Sequence, residues 1–593
     1  MITKNILQDI NKGLEAAKAY SQPMHSEGHR NLKLYLGRNP KKKYKSEANF
    51  HVPYTATLCD NILPILTARK PFAKIEARNP ERDYRSADNM NELLEYTYDV
   101  NNFDYAYSNW VKESMFDPIV WLKVTWEFQD AKTDHPKIEG INAKTVFVHP
   151  KKITLDDRWP IYQVCEMTKA QMIEMGWDKR AINLLGKSKL QTADYRRQQL
   201  KAMGLSVQEP ETDDLYEVVE CWGKFELEED KEEMCFFVVA NGEKLINLAF
   251  KGKKKYQSPY DHEMLPYVPL VYNKIPHIFH GEPAISRIAS QQEELNALEN
   301  MKADNYKRRN NPPLQVRRSA NVNLSTLKFV NSVCWLVNEP DDITPVIVPD
   351  LAPSIDNQQA MVKAVMQNAL GANDVLLVSD TVNIKGGDTA AGASIANENT
   401  KLRFKPQADL IDNAIKRVGE LVIGLFQQPN LFDRKKTIAI TGKEGELISK
   451  EIAPADIKGD LVYRVQSAST LAESSTNKLT KLLNIKQLYI EDQTINQEEL
   501  DKQIFLAADL DYESVKRDQE DLGSDLTMKL KQLVMMAKAP GFKQQPTEVQ
   551  NKVMTQIQNI KMMIQGGGQP EQPEQPGQPM GQGQMTEDMA GTQ

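Results

Sequence analysis

The stretch 281-GEPAISRIASQQEELNALENMKADNYKRRN-310 decides how this chain is read. It contains no breaker after Pro283 and reads as one unbroken helix, and about 30 residues at 1.5 Å each predict a helical rod of roughly 45 Å. Its apolar stripe is thin. Ile285, Ile288, Leu295, Leu298 and Met301 recur at three, four or seven, but Gln292 takes a place on the same face. A helix so poorly supplied is not buried all round, and is expected to pack narrowly on like neighbours or to line water. Its charges are sorted as well. Glu293, Glu294 and Glu299 lie mid-helix, while Lys302, Lys307, Arg308 and Arg309 crowd the carboxyl end, where the helix dipole favours cations.

Downstream, Pro312-Pro313 stops the rod, and a β-like excursion follows through Leu314 to Val316, Leu327 to Val330 and Cys334 to Val337. Helix resumes from Ser354 to Gly371, with Ser354 and Asp356 as cap candidates after Pro353 and Gly371 as the stop. A small β module is therefore held between two helices. The next stretch, Asn373 to Thr389, reads as a loop carrying Lys385-Gly386-Gly387-Asp388. It superficially suggests a phosphate loop, but the chain contains no GxxxxGK[ST], so nucleotide binding is not indicated. A long helix from Ala391 to Gln428 is expected to kink at Pro406, and its second half is amphipathic through Ile411, Ala414, Ile415, Val418, Leu421, Val422 and Leu425. Strands return at Lys436 to Thr441 and Leu461 to Val465, followed by helices from Leu471 to about Ala537.

Upstream, the first 118 or so residues read as helical. The period then changes. Ile119 to Trp126 and Thr145 to Val148 are β-branched and aromatic, and strand-like runs follow at Leu215 to Phe225, Met234 to Ala240 and Lys244 to Phe250. Asn241-Gly242 is the hairpin turn between the last two. The class is α+β, predominantly helical.

With 593 residues the chain is too long for one core, and several sub-domains are expected. A net charge of -7, a pI near 5.8 and a mean hydropathy of -0.54 exclude a basic protein that grips nucleic acid over its whole surface, so any DNA contact is local. The five cysteines are widely spaced with no CxxC, which suggests neither a disulfide framework nor a zinc site and points to a reducing cytoplasm. The amino terminus lacks a signal peptide and no run of 18 apolar residues occurs, so a soluble protein with no membrane contact is expected.

The remaining chemical candidates have plain readings. His277, His280 and Glu282 do not complete a metal site, and Cys221 with His277 lacks an orienting group for nucleophilic catalysis. Lys41 to Lys45 and Lys251 to Lys255 read as solvated charge runs, and Asp156-Asp157 and Asp341-Asp342 as turn acids. From Gln565 the Gln-, Pro- and Gly-rich tail cannot build a core and is expected to be disordered. No catalytic residue, metal or cofactor is indicated.

The order of long helix, small β module, helix, Gly-containing loop, Pro-kinked helix, strands and helical end resembles the portal proteins of tailed bacteriophages, the head-to-tail connectors, and most nearly those of short-tailed phages. Local stretches share the resemblance. Val146 to Pro150 with Leu155-Asp156-Asp157 resembles a wing motif, and Phe279 to Pro283 with Gln291 to Asn300 and Asn310 to Pro313 resembles the family's passage through its first stem helix into the clip. The resemblance covers about residues 10 to 530; the Gln-Pro-rich end departs from it.

The resemblance implies a homo-oligomeric ring, usually of twelve subunits, with wing, stem, clip and crown stacked around a channel for double-stranded DNA. On it, 1–280 is the wing, 281–310 the first stem helix, 311–352 the clip, 353–372 the second stem helix and 373–390 the tunnel loop. The kinked helix and further wing strands occupy 391–470, a helical crown 471–540, a helical extension 541–564 and the disordered tail 565–593. Asp380, Thr381, Asn383, Lys385, Gly386, Gly387 and Asp388 then face DNA as tunnel-loop residues, and Lys307, Arg308, Arg309, Arg317 and Arg318 form a basic cluster at the stem-clip junction. The partners implied are the terminase during packaging, a tail adaptor afterwards, and the major capsid or scaffold protein; the place is the portal vertex of the virion. Overall acidity suits a conduit that slides DNA without holding it. Two other readings stay open: a capsid-associated adaptor or scaffold with no DNA channel, and an unrecognised packaging enzyme.

Overall fold

A computed structural model of the chain describes residues 2–38, 47–67, 73–126, 135–186, 200, 203, 215–228, 231–250, 252–320, 322, 327, 335–372, 403–432, 435–441 and 447–465, with scattered positions between 482 and 535. The chain divides into two compact units, 1–473 and 474–593. In the second, the described positions Leu482, Leu483, Ile485, Lys486, Leu500, Asp501, Gln503, Ile504, Lys531 and Met535 are all helical, and Lys486 pairs with Asp501.

The first unit opens with α1 (Ile2–Tyr35) and α2 (Tyr54–Thr67), then β1 (Ala73–Ala77), then α3 (Pro80–Val100) and α4 (Phe103–Glu113). The strand interrupts a region expected to be wholly helical. Its partner is β16 (Leu461–Val465), to which it pairs antiparallel with Ala73 opposite Val465, so local pattern alone does not announce it. Next come β2 (Val120–Thr125), β3 (Lys137–Ile141), β4 (Val146–Val148) and β5 (Ile161–Thr168), the short helices α5 (Lys169–Glu174) and α6 (Lys179–Asn183), and β6 (Leu215–Glu228), β7 (Lys231–Ala240), β8 (Lys244–Leu245) and β9 (Tyr267–Leu270).

These strands build two antiparallel sheets, β3-β2-β9 and β4-β5-β6-β7-β8. The turn between β7 and β8 has both Asn241 (φ 59°) and Gly242 (φ 68°) in the left-handed region, as the Asn-Gly pair predicts. The strand read over Lys244 to Phe250 ends at Leu245; beyond it the Ile246 N–H still donates to the Val238 carbonyl, and the Asn247 side chain accepts the Val238 N–H and donates to the Phe236 carbonyl. The central strand β2 is buried throughout except at Thr125, which is why its sequence runs apolar rather than alternating. Its one charge, Lys123, meets the other sheet: Nζ donates to Glu220 Oε2 at 2.7 Å and Gln163 Oε1 at 2.8 Å, and the Tyr267 hydroxyl donates to the same Gln163 oxygen at 2.9 Å. On the five-stranded sheet, Ile10, Leu14 and Ala17 of α1 close a separate apolar cluster with Phe147, Tyr162 and Phe237.

A short antiparallel pair, β10 (Asn273–Lys274) and β11 (Gly281–Glu282), precedes α7 (Ala284–Asn310). The long helix therefore starts at Ala284 rather than Gly281. A Cβ at Gly281 would lie 2.4 Å from the Asn273 carbonyl, and its N–H is taken by the Pro118 carbonyl. After α7 come β12 (Leu314–Val316) and β13 (Ile343–Pro345), which pair as a two-stranded antiparallel ribbon, and α8 (Ala352–Leu370). Gly371 ends α8 in the left-handed conformation at φ 73°, as expected of a glycine stop.

The start of α8 differs from expectation. The Ala352 N–H is capped by the Asp350 carboxylate at 3.0 Å, and Asp356 instead pairs with Lys302 of α7 at 2.5 Å. Helix α9 (Lys405–Phe426) buries all seven of its expected stripe residues, from Ile411 to Leu425. Of the helix expected over Ala391 to Gln428 with a kink at Pro406, the part before Arg403 lies outside the described residues; Pro406 itself sits in the first turn of α9, where its missing N–H costs no helical bond. Strands β14 (Lys436–Thr441) and β15 (Leu447–Ile452) pair with each other, and β16 completes the unit.

Candidate functional site

Helices α7 and α8 run antiparallel, leaving the sheets and returning to them, with the β12–β13 ribbon between them in sequence. The first half of α7 is anchored conventionally: Ala284, Ile285, Ile288, Ala289 and Leu295 are buried. Beyond Leu295 the apolar stripe fails, since Leu298 is only half-buried and Met301 is exposed. Contacts with α8 there are largely polar. Gln358 donates to Glu294 at 3.1 Å, Gln359 to Glu299 at 2.9 Å, and Lys302 pairs with Asp356; Val362 and Met366 supply the buried apolar part.

Gln292, read as the flaw in the stripe, is fully buried and faces neither water nor another copy. Its Oε1 accepts from the Thr55 N–H (2.9 Å) and hydroxyl (2.7 Å), and its Nε2 donates to the Val52 carbonyl (2.7 Å). One and two turns on, Asn296 Oδ1 accepts the Val52 N–H at 2.9 Å and Asn300 Oδ1 the Phe50 N–H at 2.6 Å. Asn300 Nδ2 returns a bond to the Phe50 carbonyl at 3.1 Å, and Asp304 Oδ1 accepts the Ala48 N–H at 2.8 Å. The residues just before α2 thus lie along α7 and bond to it through their backbone. Sequence reading missed this row. The signal was there, as carboxamides and a carboxylate at 292, 296, 300 and 304, but its partner segment has no distinctive side chains.

At the far end of the pair the basic cluster resolves into paired and unpaired members. Lys307 bonds Asp304 at 3.0 Å, Arg309 bonds Asp350 at 2.7 Å, and Arg317 pairs with Glu339 and lies 3.7 Å from Asp342. Arg308 and Arg318 are exposed and form no close ion pair among the described residues, although Arg308 lies near enough to Asp304 to help hold its carboxyl down. Asp342 acts as a turn acid, accepting the N–H groups of Asn338 (3.1 Å) and Glu339 (2.9 Å). Asp157 does the same for Ile153 and Thr154, whose hydroxyl and backbone bonds hold its carboxyl down at about 2.

The tunnel-loop residues Asp380, Thr381, Asn383, Lys385, Gly386, Gly387 and Asp388 lie outside the described residues. The flanks of that segment, Gly371 and Arg403, meet at a cavity of about 360 Å³ whose wall includes Arg287, Tyr272 and Gln407. His280 is buried edge-on to Tyr20, and burial, then Lys274, takes it down to about 4. No cluster of three His, Cys, Asp or Glu placed to hold a metal ion occurs among the described residues, and no helix among them is long and apolar enough to cross a membrane.

The described part of the first unit is thus an α+β body bearing an antiparallel helix pair with a small ribbon between its members in sequence. The family model described as the phage SU10 portal protein matches residues 129–565, about three quarters of the chain, and the chain belongs to this family of tailed-bacteriophage portal proteins. Among curated proteins, none matches it.

Proposed function

We propose that the chain is the subunit of a ring, twelve-fold by family resemblance, that forms the DNA channel at one vertex of the capsid. It docks the packaging terminase first and a tail adaptor later, with no enzymatic step of its own. Wing, stem, clip and crown correspond to the segments given above. The observation that carries this reading is the apolar surface that the helix pair and ribbon leave uncovered in one copy. Leu336 and Ile347 are each 91% exposed, and Met361 and Val365 project from α8. Such surface is ordinarily covered by a partner, and a two-stranded ribbon is marginal by itself. The net charge of -7 supports passage of DNA rather than retention, with Arg308 and Arg318 as the local cations.

Negative-stain imaging with light scattering on the purified chain tests the ring: annular particles are expected, and a monomer or closed dimer even at high concentration would overturn it. Deleting Asp380 to Asp388 is expected to leave rings intact and impair packaging or retention of DNA. Normal virion yield from that deletion would remove the tunnel-loop assignment.

A further inference from the structure

The row on α7 obeys a metric. Successive members are four residues apart and so rise about 6.0 Å, while alternate residues of an extended chain advance about 6.6 Å. The two repeats agree closely enough for 304, 300 and 296 to meet residues 48, 50 and 52 in turn. Gln292 completes the set at Thr55, where the segment turns into α2. The helix presents one ridge of polar side chains that does what a neighbouring strand would do for the segment's backbone.

We propose that Gln292, Asn296, Asn300 and Asp304 are positioning residues that lock the rotation of α7 about its own axis. Two observations support a lock rather than four incidental bonds. The row takes over where the apolar stripe ends, with Leu298 half-buried and Met301 exposed, and acts beside the Glu299 and Lys302 contacts to α8 on another face of the helix. The adjacent rows also cannot replace it. One carries Glu293, Ala297, Met301 and Asn305, the other Gln291, Leu295, Glu299 and Ala303, and neither repeats an acceptor at every position. Turning the helix by one residue therefore leaves at least two of the four rungs with no acceptor. On the portal reading, on which this consequence rests, the lock decides which side chains of the first stem helix face the bore and which face the next subunit.

Amide-resolved hydrogen exchange on the full chain tests it. Asn300→Leu removes both bonds to Phe50, and a lock requires the amides of residues 48, 50, 52 and 55 to speed up together, by roughly tenfold for the two bonds lost. Asn300→Asp keeps the acceptor and should give a smaller change at the same four amides. Phe50→Pro attacks from the other side, removing the backbone donor together with the Phe50 ring, and should speed residues 48, 52 and 55. Spin labels at Met301→Cys and Met361→Cys report rotation directly, with a shifted or broadened distance expected on adding Asn300→Leu. Acceleration confined to residue 50, or an unchanged distance, would overturn the lock. Cooperative exchange in a chain that never forms annular particles would retain the lock and sink the portal reading instead.

Discussion

The sheets and the helix pair are held by opposite means. Between the sheets, Trp121, Tyr267 and Phe279 pack ring to ring in a region where charge is admitted once, at Lys123, and then fully paired. Along the distal half of α7, apolar contact is scarce and position is set by carboxamides gripping backbone. A buried core tolerates little change in shape, whereas a hydrogen-bonded ridge trades stability for a defined orientation.

The largest effect is expected where the first mode is broken. Lys123→Met strands the Glu220 carboxylate between the sheets and should cost about 3–5 kcal/mol in a denaturant titration. Burial opposes the charge on Lys123, but Glu220 beside it holds the amine above its ordinary range. Adding Glu220→Leu should restore most of the loss. Breaking the second mode costs less. Gln292→Leu leaves the Thr55 N–H and hydroxyl unmet, while the Val52 carbonyl keeps only the Tyr54 N–H, for about 1–3 kcal/mol.

The difference in how far each region can be read from sequence has the same origin. β2, the Asn241-Gly242 turn, the α9 stripe and the Gly371 stop each write their structure in a few neighbouring residues, and each appears where expected. The strand at Ala73–Ala77 and the rungs of α7 depend on partners far away in the chain, which periodicity does not register. Gln292 in particular looked like a defect because a polar residue on an apolar stripe reads as exposure until its acceptors and donors are known. The basic cluster was legible as charge but not as pairing, since Asp350, Glu339 and Asp342 come from the far side of the ribbon.

Acidity offers a gentler perturbation of the sheet side. Burial, then Lys144, takes His25 down to about 3 and His29 to about 4, and His280 is also held near 4. These groups are neutral in the fold but charge in the unfolded chain below its ordinary 6.5, so their contribution is present above 6.5 and is lost as pH falls toward 4. Glu113, raised to about 7 by burial and then by Asp117, has the opposite sign: its contribution is present below 4.5 and lost as pH rises through 7. His262 is likewise held near 4 by burial, and burial also lowers His51 and His149, while Glu95 alone joins Glu113 on the other side, so the unfolding midpoint should be lower at pH 5 than at pH 7, and His280→Phe should reduce the difference.

The smallest effect on stability belongs to the two exposed arginines that close no ion pair, Arg308 and Arg318. Arg308→Ala with Arg318→Ala should move the unfolding midpoint by no more than about 0.5 kcal/mol, while weakening the salt-dependent association of assembled particles with double-stranded DNA. An unchanged salt dependence would remove these two residues from the DNA path.

The portal assembly itself is tested most directly by hydrogen exchange compared between assembled particles and dissociated subunits of the full chain. The expected result is new protection across residues 335–370, where Leu336, Ile347, Met361 and Val365 stand exposed in the single copy, with β2 and the β6–β7 hairpin unchanged. Protection gained only in the sheets, with residues 335–370 exchanging equally in both forms, would contradict it.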